Sequence, residues 1–334
     1  MNVVEVAAPG EIRVTEREVP DPGRDALVRV ERVGICGTDV KVLSGGIPAP
    51  YPIVMGHEMV GVVERAAAGG AVAAAERVMV NPATSCGHCD LCMRRLDHLC
   101  RNGGLLGRDS DGVFAGHIIA PDDRLHVIPD GVSADAAALL QVLGTVVHAQ
   151  RSIAVFPDQT AVVVGLGVSG LLHLQMLIAR GVQTVIGITR SSSKLELAAE
   201  LGATATATPD AAAAVVAELT GGRGGDIVIE SVGKEATLAQ SIELAGHHSD
   251  IVVFGTLTGG GAGLPYYQLY HKELTLHNPR AAQGEDYDTA IAMTAAGKLR
   301  LEPLVNSRHA LVDAAAAFAA IGTPGTLKVI MDVA

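Results

Sequence analysis

Residues 160–164, Thr-Ala-Val-Val-Val, lead directly into Gly165-Leu166-Gly167-Val168-Ser169-Gly170, and an amphipathic helical pattern follows as far as Gly181. A glycine-rich turn between a strand and a helix commits this stretch to a βαβ unit and hence to a parallel sheet. Gly165 permits the tight turn, Gly167 lets the backbone approach a pyrophosphate, and Gly170 lets helix and strand pack closely. The helix N-terminus, with Val168 and Ser169, presents free N–H groups and a positive dipole end to phosphates. The next strand pattern, residues 184–188, ends in Thr189-Arg190-Ser191-Ser192-Ser193-Lys194, without the carboxylate that binds a ribose 2′-hydroxyl in NAD users. An arginine and a lysine beside several hydroxyls suit a 2′-phosphate, so NADP is expected over NAD. An Arg190 turned to solvent would leave the site indifferent between the two.

Periodicity divides the chain. Short β-like runs at residues 26–33, 60–64, 77–80 and 117–120 are punctuated by Pro, Gly and Asp, as in an antiparallel β-rich domain. The Ala- and Gly-rich stretch 66–75 reads as a loop. From about Ser133, helical patterns at 134–140 and 168–180 alternate with β-branched runs at 160–164, 184–188, 226–230 and 251–254. That alternation stops near Asn278, leaving helices over 286–297 and 312–321 and a final strand over 326–333. So short a tail is expected to pack back on the first domain. The loops at Glu230-Ser231-Val232-Gly233 and Gly255-Thr256-Leu257 follow successive strands at their C-terminal ends, where parallel sheets bind ligands. The glycines in residues 259–263 could let the second of these loops move, or simply form a passive surface turn.

All five cysteines fall into metal-type patterns: Cys86, Cys89, Cys92 and Cys100 form C-x2-C-x2-C-x7-C, while Cys36 precedes a Gly56-His57-Glu58 triplet. Four thiolates on one short loop can close a tetrahedron around Zn2+, and spacings this tight would strain any disulfide between neighbours. The chain reads as reduced and cytoplasmic, with one structural metal site and a second, catalytic candidate. The opening residues Met1-Asn2-Val3-Val4-Glu5 lack the regions of a signal peptide, and no apolar run reaches the roughly 18 residues of a membrane span. A formal charge of -11 without a basic cluster argues against nucleic acid.

Together, Cys36-Gly37-Thr38-Asp39, Gly56-His57-Glu58, the four-cysteine lobe and the downstream glycine motif resemble the zinc-dependent medium-chain dehydrogenase/reductase family over essentially the whole chain. The resemblance implies an α/β protein in which a GroES-like β-rich catalytic domain (1–148 and 279–334) encloses a Rossmann doubly wound parallel-sheet domain (149–278). It implies two zinc ions per subunit, a structural one on Cys86, Cys89, Cys92 and Cys100 and a catalytic one with Cys36 and His57 as ligands. Glu58 matches a neighbouring glutamate that ligates the metal in some members, and Thr38 a hydroxyl that relays the substrate proton. Lys41 stands where many relatives carry a relay histidine; a proton relay, a contact to cofactor phosphate and a solvated lysine all stay open. Asp39 resembles a position that orients the ligand histidine, or is a turn residue.

One position departs from the family. In the sugar and polyol branch a glutamate lies seven residues ahead of a His-Ala pair; here that pair is His148-Ala149, and Gln141 takes the place of the glutamate. A neutral amide is a poorer Zn2+ ligand than a carboxylate. Gln141 could reach the zinc or its water while Glu58 supplies charge, zinc could bind weakly, or the site could be metal-free. The resemblance implies a dehydrogenase that moves a hydride between NADP(H) and a secondary alcohol or its ketone. The Glu58/Gln141 arrangement, an aromatic content of 3% and the absence of Trp push its substrate toward a polyol, sugar or cyclitol. A small secondary-alcohol dehydrogenase, and a nucleotide-binding protein with a decayed zinc site, are the alternatives. By resemblance the assembly would be a homodimer or homotetramer.

Overall fold

In the computed structural model, which describes residues 1–257 and 263–333, the chain folds as two compact units. The first comprises Met1–Thr145, Ala281–Gly297 and Leu301–Ala334; the second comprises Val146–Arg280 and Lys298–Arg300. The glycine run expected to flex lies, apart from Gly263, outside the described residues.

The first unit is built on a seven-stranded sheet. Its path runs Leu125–Val127, Arg77–Val80, Glu58–Arg65, Ala26–Gly34, Lys328–Asp332, Val305–Ala310, with His117–Ala120 also paired to Ala26–Gly34. Ala26–Gly34 alternates in burial, with Ala26, Val28 and Val30 turned into the core, as one buried sheet face requires. The expected final strand spans Lys328–Asp332 and runs antiparallel to it, pairing Met331 with Val33. A smaller sheet joins Asn2–Ala8 to Glu11–Glu16 and Ile53–Val54. Within the stretch read as a loop, the Ala71 and Val72 N–H groups donate to Asp122 at 2.9 and 3.1 Å. The helix expected over 134–140 is two pieces, Ala134–Ala137, capped by the Ser133 hydroxyl at 3.2 Å, and Leu140–Gln150.

The second unit carries a six-stranded parallel sheet in the order Ala205–Ala207, Thr184–Ile188, Thr160–Val164, Gly225–Glu230, Ala245–Val253, Thr275–His277. This is the 3-2-1-4-5-6 order of a Rossmann sheet. Thr160–Val164 is buried throughout, as expected of a central strand covered on both faces. No helix among the described residues is long and apolar enough to cross a membrane.

His173, on the helix Val168–Ala179, is fully buried in the second unit. Its Nδ1 lies 3.1 Å from the Gln150 amide nitrogen, and its ring meets Phe254 edge-on at 4.6 Å. Burial pushes the imidazole down to about 3. The unfolded chain therefore takes the proton first as pH falls. This contribution is complete above about pH 6.5 and is lost toward the folded value, by up to about 1.4 kcal/mol per pH unit. Urea unfolding at pH 7.5 and pH 5 should show the wild type losing about 2 kcal/mol more than His173→Leu. Equal losses in the two proteins would remove His173 as the cause.

Candidate active site

Cys36 caps the helix Gly37–Leu43, and that capping organises the site. The Cys36 N–H donates to Asp39 Oδ2 at 2.8 Å, which leaves Asp39 Oδ1 facing His57 Nδ1 at 3.5 Å. Asp39 and Glu58 are fully buried and His57 nearly so. Ligand atoms of Cys36, His57 and Glu58 all lie within 4.8 Å of one another. Burial by itself opposes charge on His57, but Asp39, Cys36 and Glu58 outweigh it and lift the imidazole to about 9. A pocket that asks so strongly for positive charge suits a cation.

Glu58 has a further partner that the sequence did not mark. Lys328, 4% exposed, places Nζ on Glu58 Oε2 and donates to the Ile35 carbonyl at 3.0 Å. Gly34 makes room for this pair, because a Cβ there would sit 2.4 Å from Glu58 Oε2 and 2.7 Å from Lys328 Cε. Glu58 Oε1, Asp39 Oδ1 and His57 Nδ1 remain buried without hydrogen-bond partners among the described residues. A carboxylate oxygen left bare in a protein interior is costly, and a metal ion would satisfy it. Cys36, His57 and Glu58 thus fit Zn2+, with Asp39 placed to hold the histidine ring.

Gln141 is buried in the first turn of Leu140–Gln150 and hydrogen-bonds Tyr287, a fully buried residue whose phenol is pushed up by that burial. A Cβ on Gly144 would lie 2.3 Å from the Tyr287 ring, so glycine there admits the tyrosine. Thr38 and Lys41 ride on Gly37–Leu43, Thr38 half-buried and Lys41 exposed.

The four cysteines of the lobe are brought together. Sγ separations are 3.5 Å for Cys89–Cys92 and Cys86–Cys100, 3.8 Å for Cys89–Cys100 and 4.0 Å for Cys86–Cys92. Sulfurs at about 2.3 Å from a tetrahedral zinc stand about 3.8 Å apart, so the lobe fits the ion. The His88 N–H brings the Cys86 thiol down to about 6, while burial among its neighbours pushes Cys92 up to about 12. Four thiolates this close would repel one another, and a bound dication would offset that repulsion.

In the second unit the glycine motif has three separable reasons. Gly165 sits at φ +93°, and a Cβ on Gly170 would lie 1.8 Å from the Gly165 carbonyl. Gly167 needs glycine for neither reason: its φ is −73°, and a Cβ there would meet nothing within 4 Å. Open space beside a helix N-terminus fits a pyrophosphate approaching the backbone. Thr189, Arg190 and Lys194 flank the start of Ser192–Glu200, where Arg190 is exposed and the Ser191 and Ser193 hydroxyls lie 3.0 Å apart. Ser231 and Gly255 stand just beyond the C-terminal ends of Gly225–Glu230 and Ala245–Val253, at the sheet edge that binds ligands in this fold.

Residues 22–130 match the family model described as alcohol dehydrogenase GroES-like domain, and residues 168–296 match the one described as zinc-binding dehydrogenase. Over 305 residues the chain is 30% identical to a 2-dehydro-3-deoxy-L-galactonate 5-dehydrogenase of Pseudoalteromonas atlantica, covering 90% of this chain and 89% of that one. The chain belongs to the zinc-dependent medium-chain dehydrogenase/reductase family. A sorbitol dehydrogenase of Halalkalibacterium halodurans, 28% identical over 329 residues, covers 96% of both chains. The crystal structure of a zinc-binding dehydrogenase from Sinorhizobium meliloti 1021 bound to NADP matches with a TM-score of 0.93 and 30% identity, over 99% of each chain. As a zinc-dependent medium-chain dehydrogenase, the protein is an oxidoreductase acting on CH–OH groups, with a GroES-like domain and a Rossmann domain.

Proposed function

We propose that this dehydrogenase prefers NADP and oxidises a secondary alcohol of a polyol, sugar or cyclitol, or reduces the corresponding ketone. The observation that carries the zinc chemistry is the convergence of Cys36, His57 and Glu58, with Glu58 Oε1 buried and unsatisfied. The sugar-derived substrates named for the Pseudoalteromonas and Halalkalibacterium relatives support the substrate class. The NADP of the Sinorhizobium structure and the Arg190–Lys194 segment support the cofactor.

Cys36 and His57 would hold the catalytic zinc, with Glu58 offering Oε1 and Lys328 restraining Oε2. Gln141, fixed by Tyr287, would contribute an amide oxygen to the zinc or to its water. Bound zinc supplies a Lewis acid for the carbinol or carbonyl oxygen, and bound nicotinamide accepts or returns the hydride. Thr38 would accept and pass the hydroxyl proton, and Lys41, exposed to solvent, would stand at the outer end of that path. Cys86, Cys89, Cys92 and Cys100 would hold a second zinc that stiffens the lobe. A homodimer or homotetramer in a reducing cytoplasm completes the reading.

Cofactor reduction with NADP and with NAD, measured against polyols, aldoses, aldonates, cyclitols and simple secondary alcohols, tests the proposal. Turnover of a polyhydroxylated substrate, faster with NADP, is the expected result. Activity confined to apolar alcohols would overturn the substrate class and leave the metal chemistry standing.

A further inference from the structure

Glu230 ends the strand Gly225–Glu230 and is fully buried, yet no part of the zinc chemistry uses it. Its Oε1 accepts from the Val232 and Gly233 N–H groups at 3.0 Å each and from the Thr237 hydroxyl at 2.7 Å. Its Oε2 accepts from the Gly233 N–H at 3.2 Å. The Glu230 carbonyl accepts from the N–H groups of Phe254 and Gly255 at 2.9 and 3.0 Å. One residue thus ties together the loop after its own strand, the loop after the neighbouring strand and the first turn of Glu235–Leu244.

The packing around these bonds leaves little slack. A Cβ on Gly255 would fall 2.1 Å from the Gly233 nitrogen and 2.7 Å from Glu230 Oε2. Val232 lies against the glycine turn, where a Cβ on Gly165 would meet Val232 Cγ2 at 2.4 Å, and the Ser231 N–H donates to the Val164 carbonyl at 2.9 Å. Among the described residues the Ser231 hydroxyl is buried without a hydrogen-bond partner. A shift of the Glu230 carboxylate therefore moves both the residue packed on the glycine turn and the unpartnered Ser231 hydroxyl.

We propose that Glu230 is a positioning residue for the nicotinamide cofactor, fixing the two loops at the ligand-binding edge of the parallel sheet so that Ser231, Val232 and Gly255 stand ready before the cofactor arrives. The assignment rests on the cofactor reading above. Preorganised loops bind more tightly because the ordering is complete before the ligand is bound. Glu230→Gln sets an amide NH2 among donors that need an acceptor, while keeping size and shape.

Titration of NADPH fluorescence gives the cofactor Kd directly, since the chain has no Trp to interfere. Glu230→Gln is expected to raise that Kd about tenfold or more, the effect of losing a hydrogen bond to a charged group. Zinc content, and kcat at saturating cofactor, should stay close to wild type. Thr237→Val, which removes one donor and leaves the carboxylate, should raise Kd less and in the same direction; it decides the matter if Glu230→Gln does not fold. A lowered Tm with unchanged Kd in the folded variants would make Glu230 a brace of the fold alone and overturn the proposal. A wild type that binds neither NADPH nor NADH would overturn the cofactor reading, and this assignment with it.

Discussion

Cys36→Ala is expected to lower kcat/KM by about 10^3-fold or more while cofactor binding and the lobe metal are retained. The residue does two jobs at once: its sulfur joins His57 and Glu58 in the cluster, and its main-chain N–H holds Asp39 behind His57. Alanine keeps the second and abolishes the first. Lewis-acid stabilisation of a developing oxyanion is worth several kcal/mol, and each 1.36 kcal/mol corresponds to a tenfold change in rate. The metal content, measured on the purified variant, should fall from two zinc ions per subunit to one. Wild-type activity in a variant with unchanged zinc would remove Cys36 from the site. A loss of activity with both ions still bound would point to a role for Cys36 other than metal binding.

Arg190→Ala should raise KM for NADP by about 10- to 100-fold and leave KM for NAD nearly unchanged. The reasoning is differential: a guanidinium in reach of a 2′-phosphate makes charge-assisted hydrogen bonds of about 1.5–3 kcal/mol, which NAD cannot make. Arg190 is exposed at the start of Ser192–Glu200, beside hydroxyls that can share the phosphate oxygens. Steady-state kinetics with both cofactors on one alcohol substrate measure the ratio. Parallel changes in the two KM values would show that Arg190 does not read the phosphate and would remove it as a ground for proposing NADP.

Several features were legible in the sequence because each is written in adjacent residues. The strand–glycine–helix pattern at 160–180 marked Thr160–Val164 and the helix Val168–Ala179. β-like runs set off by turn residues marked Arg77–Val80 and His117–Ala120, and the spacing of the lobe cysteines marked four sulfurs that lie within 4.8 Å of one another. Other features were hidden for equally physical reasons. The strand Asn2–Ala8 carries Glu5 in a buried position, a charge that breaks the apolar pattern. Arg13 and Arg17, at 3.0 and 2.8 Å, pair with that charge. The helix anticipated over 134–140 broke in two, Ala134–Ala137 with its own Ser133 cap and Leu140–Gln150 beginning afresh.

By itself, the sequence determined the family, the two-part α/β architecture and the residues that could meet a metal or a dinucleotide. Those signals depend on neighbours within one turn, one strand or one loop. Tertiary structure alone decided what surrounds them. Lys328 reaches Glu58 across 270 positions because the strand Lys328–Asp332 pairs with Ala26–Gly34. Tyr287 reaches Gln141 in the same way, from a distant part of the chain within the first unit. The Glu230 carbonyl meets the Phe254 and Gly255 N–H groups only where two parallel strands end side by side. Long-range pairing leaves no periodic trace in sequence, so the environment that sets each group's charge and orientation emerges only once the chain has folded.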